Sequence, residues 1–237
     1  MAVPTIHHAM NSAAAFLIGA GPGIGRSVAR RFAEEGFDIG LVARSSRSLD
    51  AVARDVSESG TRPVGVTADA ADEAGLRDAL DHLERELGTP EIVVYNAAVI
   101  QWDALGDLTL REHLDAWAVN VGGAITAAAH LGPRMAARGG GTILLTGGMP
   151  TPIPGVTSLS LGKAGLRALT ELLAAQFGPA GVHVATVTVA GAVAPGTAFD
   201  PDEIAEQYWT LHTQPREAWV HELLYAGRQP APVGEGG

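Results

Sequence analysis

The sequence contains no cysteine among its 237 residues. This absence excludes disulfide bonds, thiol catalysis and zinc sites built on cysteine. Positive charge is also scarce, with 16 lysine and arginine residues against 26 aspartate and glutamate residues and a net charge of −10. No basic stripe is available to neutralise phosphates, so we predict no nucleic-acid partner. The histidines and carboxylates follow no spacing typical of a metal site, and we predict none.

Long apolar runs are missing as well, since no segment approaches the roughly 18 residues needed to span a bilayer. The amino-terminal stretch "MAVPTIHHAMNSAAAFLIGAGPG" has no basic start, and its apolar part runs into a glycine loop. We therefore predict no targeting segment, no membrane partner and a cytoplasmic location. Linkers, low-complexity blocks and internal repeats are also absent. One domain over residues 1–230 and a flexible tail at 231–237 are predicted.

Short apolar runs alternate regularly with longer amphipathic segments. Most of the runs are continuous, which is typical of strands buried on both faces. The longer segments place apolar residues three and four positions apart, and several end in glycine, as helices do. We predict an α/β fold, a doubly wound parallel sheet of about seven strands with helices on both faces. The predicted strands lie in 13–20, 38–44, 62–69, 91–98, 141–147, 181–191 and 219–225, and the helices in 25–36, 49–60, 73–88, 110–139, 157–178 and 201–212.

Four glycines join the first predicted strand to the first predicted helix: Gly19, Gly21, Gly23 and Gly25. Bare backbone lets a phosphate approach closely, and a helix N-terminus offers amide groups without partners. The spacing is G-x-x-x-G-x-G with one extra glycine, which differs from the G-x-G-x-x-G dinucleotide fingerprint. A glycine cluster alone also fits a tight turn. Its place between strand and helix favours a nucleotide site.

Several features, in order along the chain, resemble the short-chain dehydrogenase/reductase family. They are the loop "GAGPGIG", Asp69 after the third strand, "NAA" at 96–98, Asn120 in "WAVNVGG" and Lys163 in "SLSLGKAGL". The resemblance covers most of the chain and implies a single-domain Rossmann-type fold that binds a nicotinamide dinucleotide. Ala98 stands where the family has glycine. The expected cofactor-binding residues are Gly19, Gly21, Gly23, Ile24, Gly25, Arg26, Arg44, Asp69, Asn96, Ala97, Ala98 and Lys163.

The end of the second strand bears on which dinucleotide is bound. NAD-selective relatives usually place an acidic residue there to hold the ribose hydroxyls. This chain has Arg44, whose guanidinium suits a 2′-phosphate, and Arg26 beyond the glycine loop offers a second charge. Both arginines also fit solvated surface positions. We expect NADP(H) in preference to NAD(H).

The resemblance implies hydride transfer between a nicotinamide and a carbonyl carbon. In the family a tyrosine exchanges the proton, a serine steadies the oxygen, and a lysine lowers the tyrosine pKa and holds the ribose. Here the tyrosine position, four residues before Lys163, is Leu159, which has no proton to exchange. The serine position is Gly147 or Gly148, and one register offers Thr146 instead. The catalytic candidates are Asn120, Lys163 and Thr146.

The segment after the sixth strand departs from the family too. Ala190 replaces the proline of a Pro-Gly pair, and the helix at 201–212 follows soon after, which predicts a short or missing substrate lid. His212, which we place near the edge of the active site, is a further candidate for proton exchange, as is Tyr95. Capping or packing is the simpler interpretation of both.

Three functions remain open from the sequence. The first is an NADP(H)-dependent oxidoreductase that acts on a carbonyl or alcohol with a non-standard proton donor. The second is a non-catalytic NADP(H)-binding sensor or the silent subunit of a complex. The third is an isomerase or dehydratase on the same fold. The small-residue helices around Asn120 and Lys163 are dimer-forming in the resembled family, so we expect a homodimer or homotetramer.

Overall fold

The computed structural model describes residues 13–228. Its centre is a seven-stranded sheet formed by β1 (Ala14–Ile18), β2 (Asp38–Ala43), β3 (Pro63–Thr67), β4 (Ile92–Tyr95), β5 (Gly141–Thr146), β6 (Val182–Val189) and β7 (Glu222–Tyr225). Every neighbouring pair is parallel, and the order is β3-β2-β1-β4-β5-β6-β7. The predicted α/β parallel sheet is confirmed, and each predicted apolar run contains one strand.

The helices are α1 (Ile24–Glu34), α2 (Ser46–Glu58), α3 (Glu73–Leu87), α4 (Leu110–Trp117), α5 (Gly123–Arg138), α6 (Thr157–Phe177) and α7 (Pro201–His212), with short 3₁₀ turns at Gly178–Ala180 and Arg216–Ala218. One face of the sheet packs against α1, α2 and α7, and the other against α3, α5 and α6. Successive residues of a strand enter different cores; Leu17 lies on the α1 face and Ile18 on the α3 face. Burial on both faces explains why the strand sequences are continuously apolar.

The segment 110–139, predicted as one helix, is interrupted by a π-helical turn at Ala118–Gly122. The buried Tyr95 explains the interruption, because its hydroxyl donates a hydrogen bond of 2.5 Å to the carbonyl of Val119. Gly123 follows, and a Cβ there would overlap the Tyr95 hydroxyl. Single π-helical turns often occur at functional sites, and this one contains Asn120.

The strand order reverses at β1, which lies between β2 and β4. In open parallel sheets, ligands bind outside the carboxyl ends of the strands at such a reversal. We therefore expect the ligand site at the loops that follow β1, β4, β5 and β6. The domain limits 1–230 and the tail 231–237 stay predictions, because residues 1–12 and 229–237 lie outside the described part. Among the helices of residues 13–228, none is both long and apolar enough to cross a membrane.

Candidate functional site

A cleft of about 780 Å³ opens at the carboxyl ends of β1, β4, β5 and β6. It contains most of the residues that the sequence marked for cofactor binding: Gly19, Gly21, Gly23, Ile24, Arg44, Asp69, Asn96, Ala97, Ala98 and Lys163. Thr146, Gly147, Gly148 and Leu159 also line it. Gly25, Arg26 and Asn120 do not form its wall.

The glycine loop is shaped for close approach of a ligand. Gly19 has a φ of +94°, and a Cβ there would overlap the backbone of Ala97. A Cβ on Gly25 would lie 2.5 Å from the Gly19 carbonyl, so this glycine lets α1 pack against the loop. No side chain caps α1, and the amide groups of Ile24 and Gly25 have no acceptor among residues 13–228. Unpaired amides at a helix N-terminus suit a phosphate.

A chain of hydrogen bonds links α7 to the glycine loop. The Tyr208 hydroxyl lies 2.6 Å from Thr146 Oγ1, which donates to Asn96 Oδ1 at 3.0 Å. Asn96 Nδ2 in turn donates to the Gly19 carbonyl at 2.9 Å. Burial raises the pKa of the Tyr208 phenol, so this group stays protonated and can donate. The Thr146 hydroxyl therefore points toward α7 and the residue after β4, where it positions the Asn96 side chain.

The two arginines occupy different places. Arg44 is exposed and lines the cleft beside Asp69, and it has no ion-pair partner in the described part of the chain. Arg26 instead forms an ion pair with Asp55 of α2. Only Arg44 therefore offers its guanidinium to the cleft. The Asp69 carboxylate accepts a hydrogen bond from the Ala71 amide at 2.9 Å.

The opposite end of the cleft is almost free of polar side chains. Leu159 is only 8% exposed and lies one helical turn before Lys163 on the same face of α6. A Cβ on Gly148 would lie 3.8 Å from Lys163 Cε, whereas one on Gly147 would contact the hydroxyls of Thr186 and Thr188 on β6. Gly148 is therefore the position that faces Lys163.

Lys163 is buried, with 6% exposure, and its Nζ donates a hydrogen bond of 2.6 Å to the Thr146 carbonyl. Burial lowers the pKa of Lys163 to about 8. Of the three charged side chains in the cleft wall, Arg44 and Asp69 follow β2 and β3. Lys163 is the one beside Leu159 and Gly148.

Asn120 is placed behind the cleft. Its Oδ1 accepts from the Val99 amide at 2.7 Å, and its Nδ2 donates to the Val99 carbonyl at 3.4 Å. A Cβ on Gly162 of α6 would lie 2.6 Å from Asn120 Cβ, so this glycine allows the close contact. Asn120 thus fixes the loop after β4 against α6.

Arg167 and Met149 were not singled out from the sequence. Met149 lines the cleft with a φ of +49°, the single positive φ of a non-glycine residue in the described segment. Arg167 Nη1 holds this turn by donating to the carbonyls of Gly148 at 2.9 Å and Met149 at 3.2 Å. A strained residue held from outside is typical of functional loops. No local sequence pattern identifies an arginine that binds carbonyls 18 and 19 residues away.

The buried Asp103 was missed too. Its carboxylate accepts from the Ser158 amide at 2.8 Å and from Ser158 Oγ at 3.0 Å, at the start of α6. Asp103 also pairs with Gly155 through the backbone. These bonds attach the loop after β4 to the turn of α6 that carries Leu159.

The location expected for His212 is wrong. In helix α7, Tyr208 contacts Thr146 at the carboxyl end of β5, and His212 lies one turn further along the helix. His212 Nδ1 instead lies 2.9 Å from Thr142 Oγ1, near the amino end of β5. Only a short segment, 190–200, links β6 to α7. Within residues 13–228, no group of three histidine or acidic side chains could hold a metal ion.

The sequence is similar to those of several known proteins. The family model described as short chain dehydrogenase matches residues 13–202. The short-chain reductase protein NovJ of Streptomyces niveus is 32% identical over 200 residues, which cover 81% of this chain and 72% of that protein. The oxidoreductase UcpA of Escherichia coli K12 is 30% identical over 202 residues, covering 81% and 73%.

Solved structures of short-chain oxidoreductases share the fold of this chain. A metagenomic short-chain oxidoreductase in complex with NADP has a TM-score of 0.82 and 25% identity, covering 90% of this chain and 96% of that chain. A short-chain dehydrogenase from Rhodopseudomonas palustris has a TM-score of 0.82 and 25% identity, covering 92% and 99%.

Proposed function

Because this chain belongs to the short-chain dehydrogenase/reductase family, we propose that it binds NADP(H) and interconverts a carbonyl and an alcohol with a proton donor other than tyrosine. The observation that carries the proposal is the cleft at the carboxyl ends of the strands. It combines a glycine loop and a buried lysine with amides and an arginine that have no partner among the described residues. These features fit the parts of a dinucleotide in their order along the sheet.

The residues present fit NADP(H) as follows. The amides of Ile24 and Gly25 would receive the pyrophosphate, and Gly19 and Gly21 would let it approach. Arg44 would pair with the 2′-phosphate, since a guanidinium matches phosphate geometry. The adenosine and the nicotinamide ribose would contact Asp69 and the backbone at Asn96, Ala97 and Ala98. Lys163 would also hold the nicotinamide ribose.

When bound, the nicotinamide supplies or accepts a hydride. The chain itself provides the walls: Ile100, Val119, Met149, Leu159 and Val193 are apolar and line the cleft. Such walls favour an apolar carbonyl compound, because a polar group placed against them would lose hydration without gaining a hydrogen-bond partner. Gly191 and Val193 of the short 190–200 segment line this part of the cleft as well.

A second candidate is a non-catalytic NADP(H)-binding protein. Leu159 and Gly148 favour it, since neither supplies a hydroxyl beside Lys163. The two candidates share nucleotide binding and differ in turnover.

The test combines calorimetry with NADPH and NADH and a spectroscopic assay of NADPH oxidation. The probes are α-tetralone, benzaldehyde and 9,10-phenanthrenequinone, which are uncharged and apolar. We expect NADPH to bind and to be oxidised with at least one probe. Binding without oxidation at any pH would leave the non-catalytic candidate, and failure to bind either nucleotide would contradict both.

The cofactor preference gives a prediction for Arg44. Arg44→Ser is expected to weaken NADPH binding about 10- to 100-fold, because a hydrogen bond to a charged group contributes about 1.5–3 kcal/mol. NADH lacks the 2′-phosphate, so its dissociation constant should change less than about threefold. The matched control is Arg47→Ser, an exposed arginine of α2 outside the cleft wall. Equal losses for NADPH and NADH would contradict the assignment.

We also propose a homodimer or homotetramer formed through α4, α5 and α6. Apolar side chains are exposed on these helices, namely Leu110, Leu114, Trp117, Ile125, Leu161 and Leu172. We expect Leu161→Glu with Leu172→Glu to reduce the mass measured by light scattering at micromolar concentration to that of a monomer, because both charges would be buried in the interface. Leu105→Glu, at a still more exposed leucine after β4, is the control and should keep the oligomer. A monomeric wild type would contradict this proposal.

A further inference from the structure

The sequence uses lysine once. It contains 16 lysine and arginine residues in total, and Lys163 is the only lysine. An arginine guanidinium keeps its charge at every pH that proteins tolerate, whereas a lysine amine can lose its proton. The basic residue that differs chemically from all the others is therefore the one buried in the cleft.

The surroundings of Lys163 leave its ammonium without a counter-charge. Its Nζ donates to the Thr146 carbonyl, and no carboxylate lies within ion-pair distance in residues 13–228. The other titratable groups close to it are Tyr208, which reaches the opposite side of Thr146, and Arg167, which binds the Gly148 and Met149 carbonyls. An ammonium has three N–H donors, and Thr146 accepts one of them.

Among residues 13–228, the cleft wall beside Lys163 contains no other acidic group. Leu159 and Gly148 carry no exchangeable proton, and a side chain on Gly148 would stand directly against the lysine methylenes. The Thr146 hydroxyl donates its proton to Asn96 Oδ1 and lies 2.6 Å from the Tyr208 hydroxyl. Lys163 is thus the titratable side chain of the cleft wall that lies where the two hydroxyls are missing.

We propose that Lys163 is itself the acid–base group of the reaction. This inference rests on the proposed function. In reduction, the carbonyl carbon gains a hydride from a reduced nicotinamide nucleotide, and the carbonyl oxygen takes a proton from the Lys163 ammonium. The N–H bond breaks as the O–H bond of the alcohol forms, and the neutral amine recovers its proton from water. In oxidation, the neutral amine accepts the proton of the alcohol.

The pKa of Lys163 supports this role. Desolvation lowers it from the usual 10.5 to about 8, which brings both protonation states within reach near neutral pH. Catalytic acids and bases work best when their pKa lies near the operating pH. An arginine at this position could hold a ribose but could not exchange a proton.

The first experiment measures Lys163 directly and needs no turnover. Protein prepared with ¹³C-labelled lysine contains one labelled side chain, so a single Cε resonance reports its titration. We expect a midpoint near pH 8 in the folded protein, without nucleotide and with NADP⁺. The same sample unfolded in urea should titrate near 10.4, the reference value for lysine. A folded midpoint above pH 10 in both samples would overturn the proposal.

The second experiment separates proton transfer from nucleotide binding, using the probe that the wild type reduces best. Lys163→Arg should lower kcat at least about 100-fold while the NADPH dissociation constant changes less than about tenfold. Wild-type reduction should decline above pH 8, and oxidation of the product alcohol should rise over the same range. In Lys163→Ala, added methylamine and ethanolamine should restore turnover according to their pKa values.

The outcomes distinguish this inference from the proposed function. A wild type without NADPH oxidation would overturn both. A wild type with turnover that Lys163→Arg preserves, or a Lys163→Ala variant that no amine rescues, would overturn the role of Lys163 alone. A wild-type pH profile in which reduction does not decline above pH 8 would also overturn the role of Lys163.

Discussion

Leu159→Tyr is expected to raise NADPH-dependent reduction of an uncharged ketone by about 10- to 100-fold, since general acid catalysis contributes factors of this size and above. Leu159 borders the cleft, so the phenol ring can extend into open space. It lies one helical turn from Lys163 on the same face of α6, where a nearby ammonium would lower the phenol pKa. The measurement is kcat with α-tetralone across pH 6 to 10.

Leu159→Phe is the matched control because it has the same ring without the hydroxyl. It should bind NADPH like Leu159→Tyr and show no gain in kcat. Equal gains from both variants would mean that ring packing, and not a proton donor, was limiting. A gain for tyrosine alone would show that the cleft binds nucleotide and ketone in a productive arrangement.

We do not expect a serine at position 148 to restore activity in the same way. Gly148 has a φ of +159°, followed by Met149 at +49°, and Arg167 holds both carbonyls. A serine at 148 would therefore stand on a strained backbone. The loop after β5 is built for glycine, so the missing hydroxyl belongs to a change in loop geometry and not to one substitution.

Strand positions could be predicted from the sequence because burial on both faces leaves continuous apolar runs, as in β5 and β6. The glycine loop could be located because Gly19 and Gly25 occupy positions that admit little else. Both signals are local, since a short window of residues determines them.

Features that depend on distant contacts could not be predicted. The π-helical turn at Ala118–Gly122 follows from a hydrogen bond made by Tyr95, and the separation of Arg26 from Arg44 follows from Asp55 on α2. His212 was misplaced for a related reason. The sequence shows that it ends a helix, but the direction of α7 relative to the cleft depends on packing against α1.

Lys163→Met is expected to stabilise the nucleotide-free protein at pH 7 by about 2 kcal/mol. Lowering the pKa from 10.5 to about 8 corresponds to about 3 kcal/mol of unfavourable free energy for burying the charge. Methionine removes this cost and keeps a similar length of apolar chain. The lost hydrogen bond to the Thr146 carbonyl offsets about 1 kcal/mol.

The pH dependence gives the prediction its sign. Between pH 8 and 10.5 the unfolded chain keeps the Lys163 proton while the folded protein has lost it. Stability therefore rises with pH in this window, and the penalty is fully present below pH 8. Lys163→Met lacks this rise, so its advantage should shrink as pH increases, vanish near pH 10 and reverse above it, where the lost hydrogen bond outweighs the remaining penalty. No other lysine titrates in this window, because Lys163 is the only lysine of the sequence.

Urea unfolding of both proteins at pH 7, 8, 9 and 10 measures the difference directly. Burial raises the pKa values of Tyr95 and Tyr208, which lowers stability at high pH, but both tyrosines are present in both proteins and cancel in the comparison. A difference that stayed constant across pH would show that Lys163 does not titrate in this range. A shrinking difference would show that the protein keeps a destabilising charge in its cleft, which is the cost expected of a group retained for binding and proton exchange.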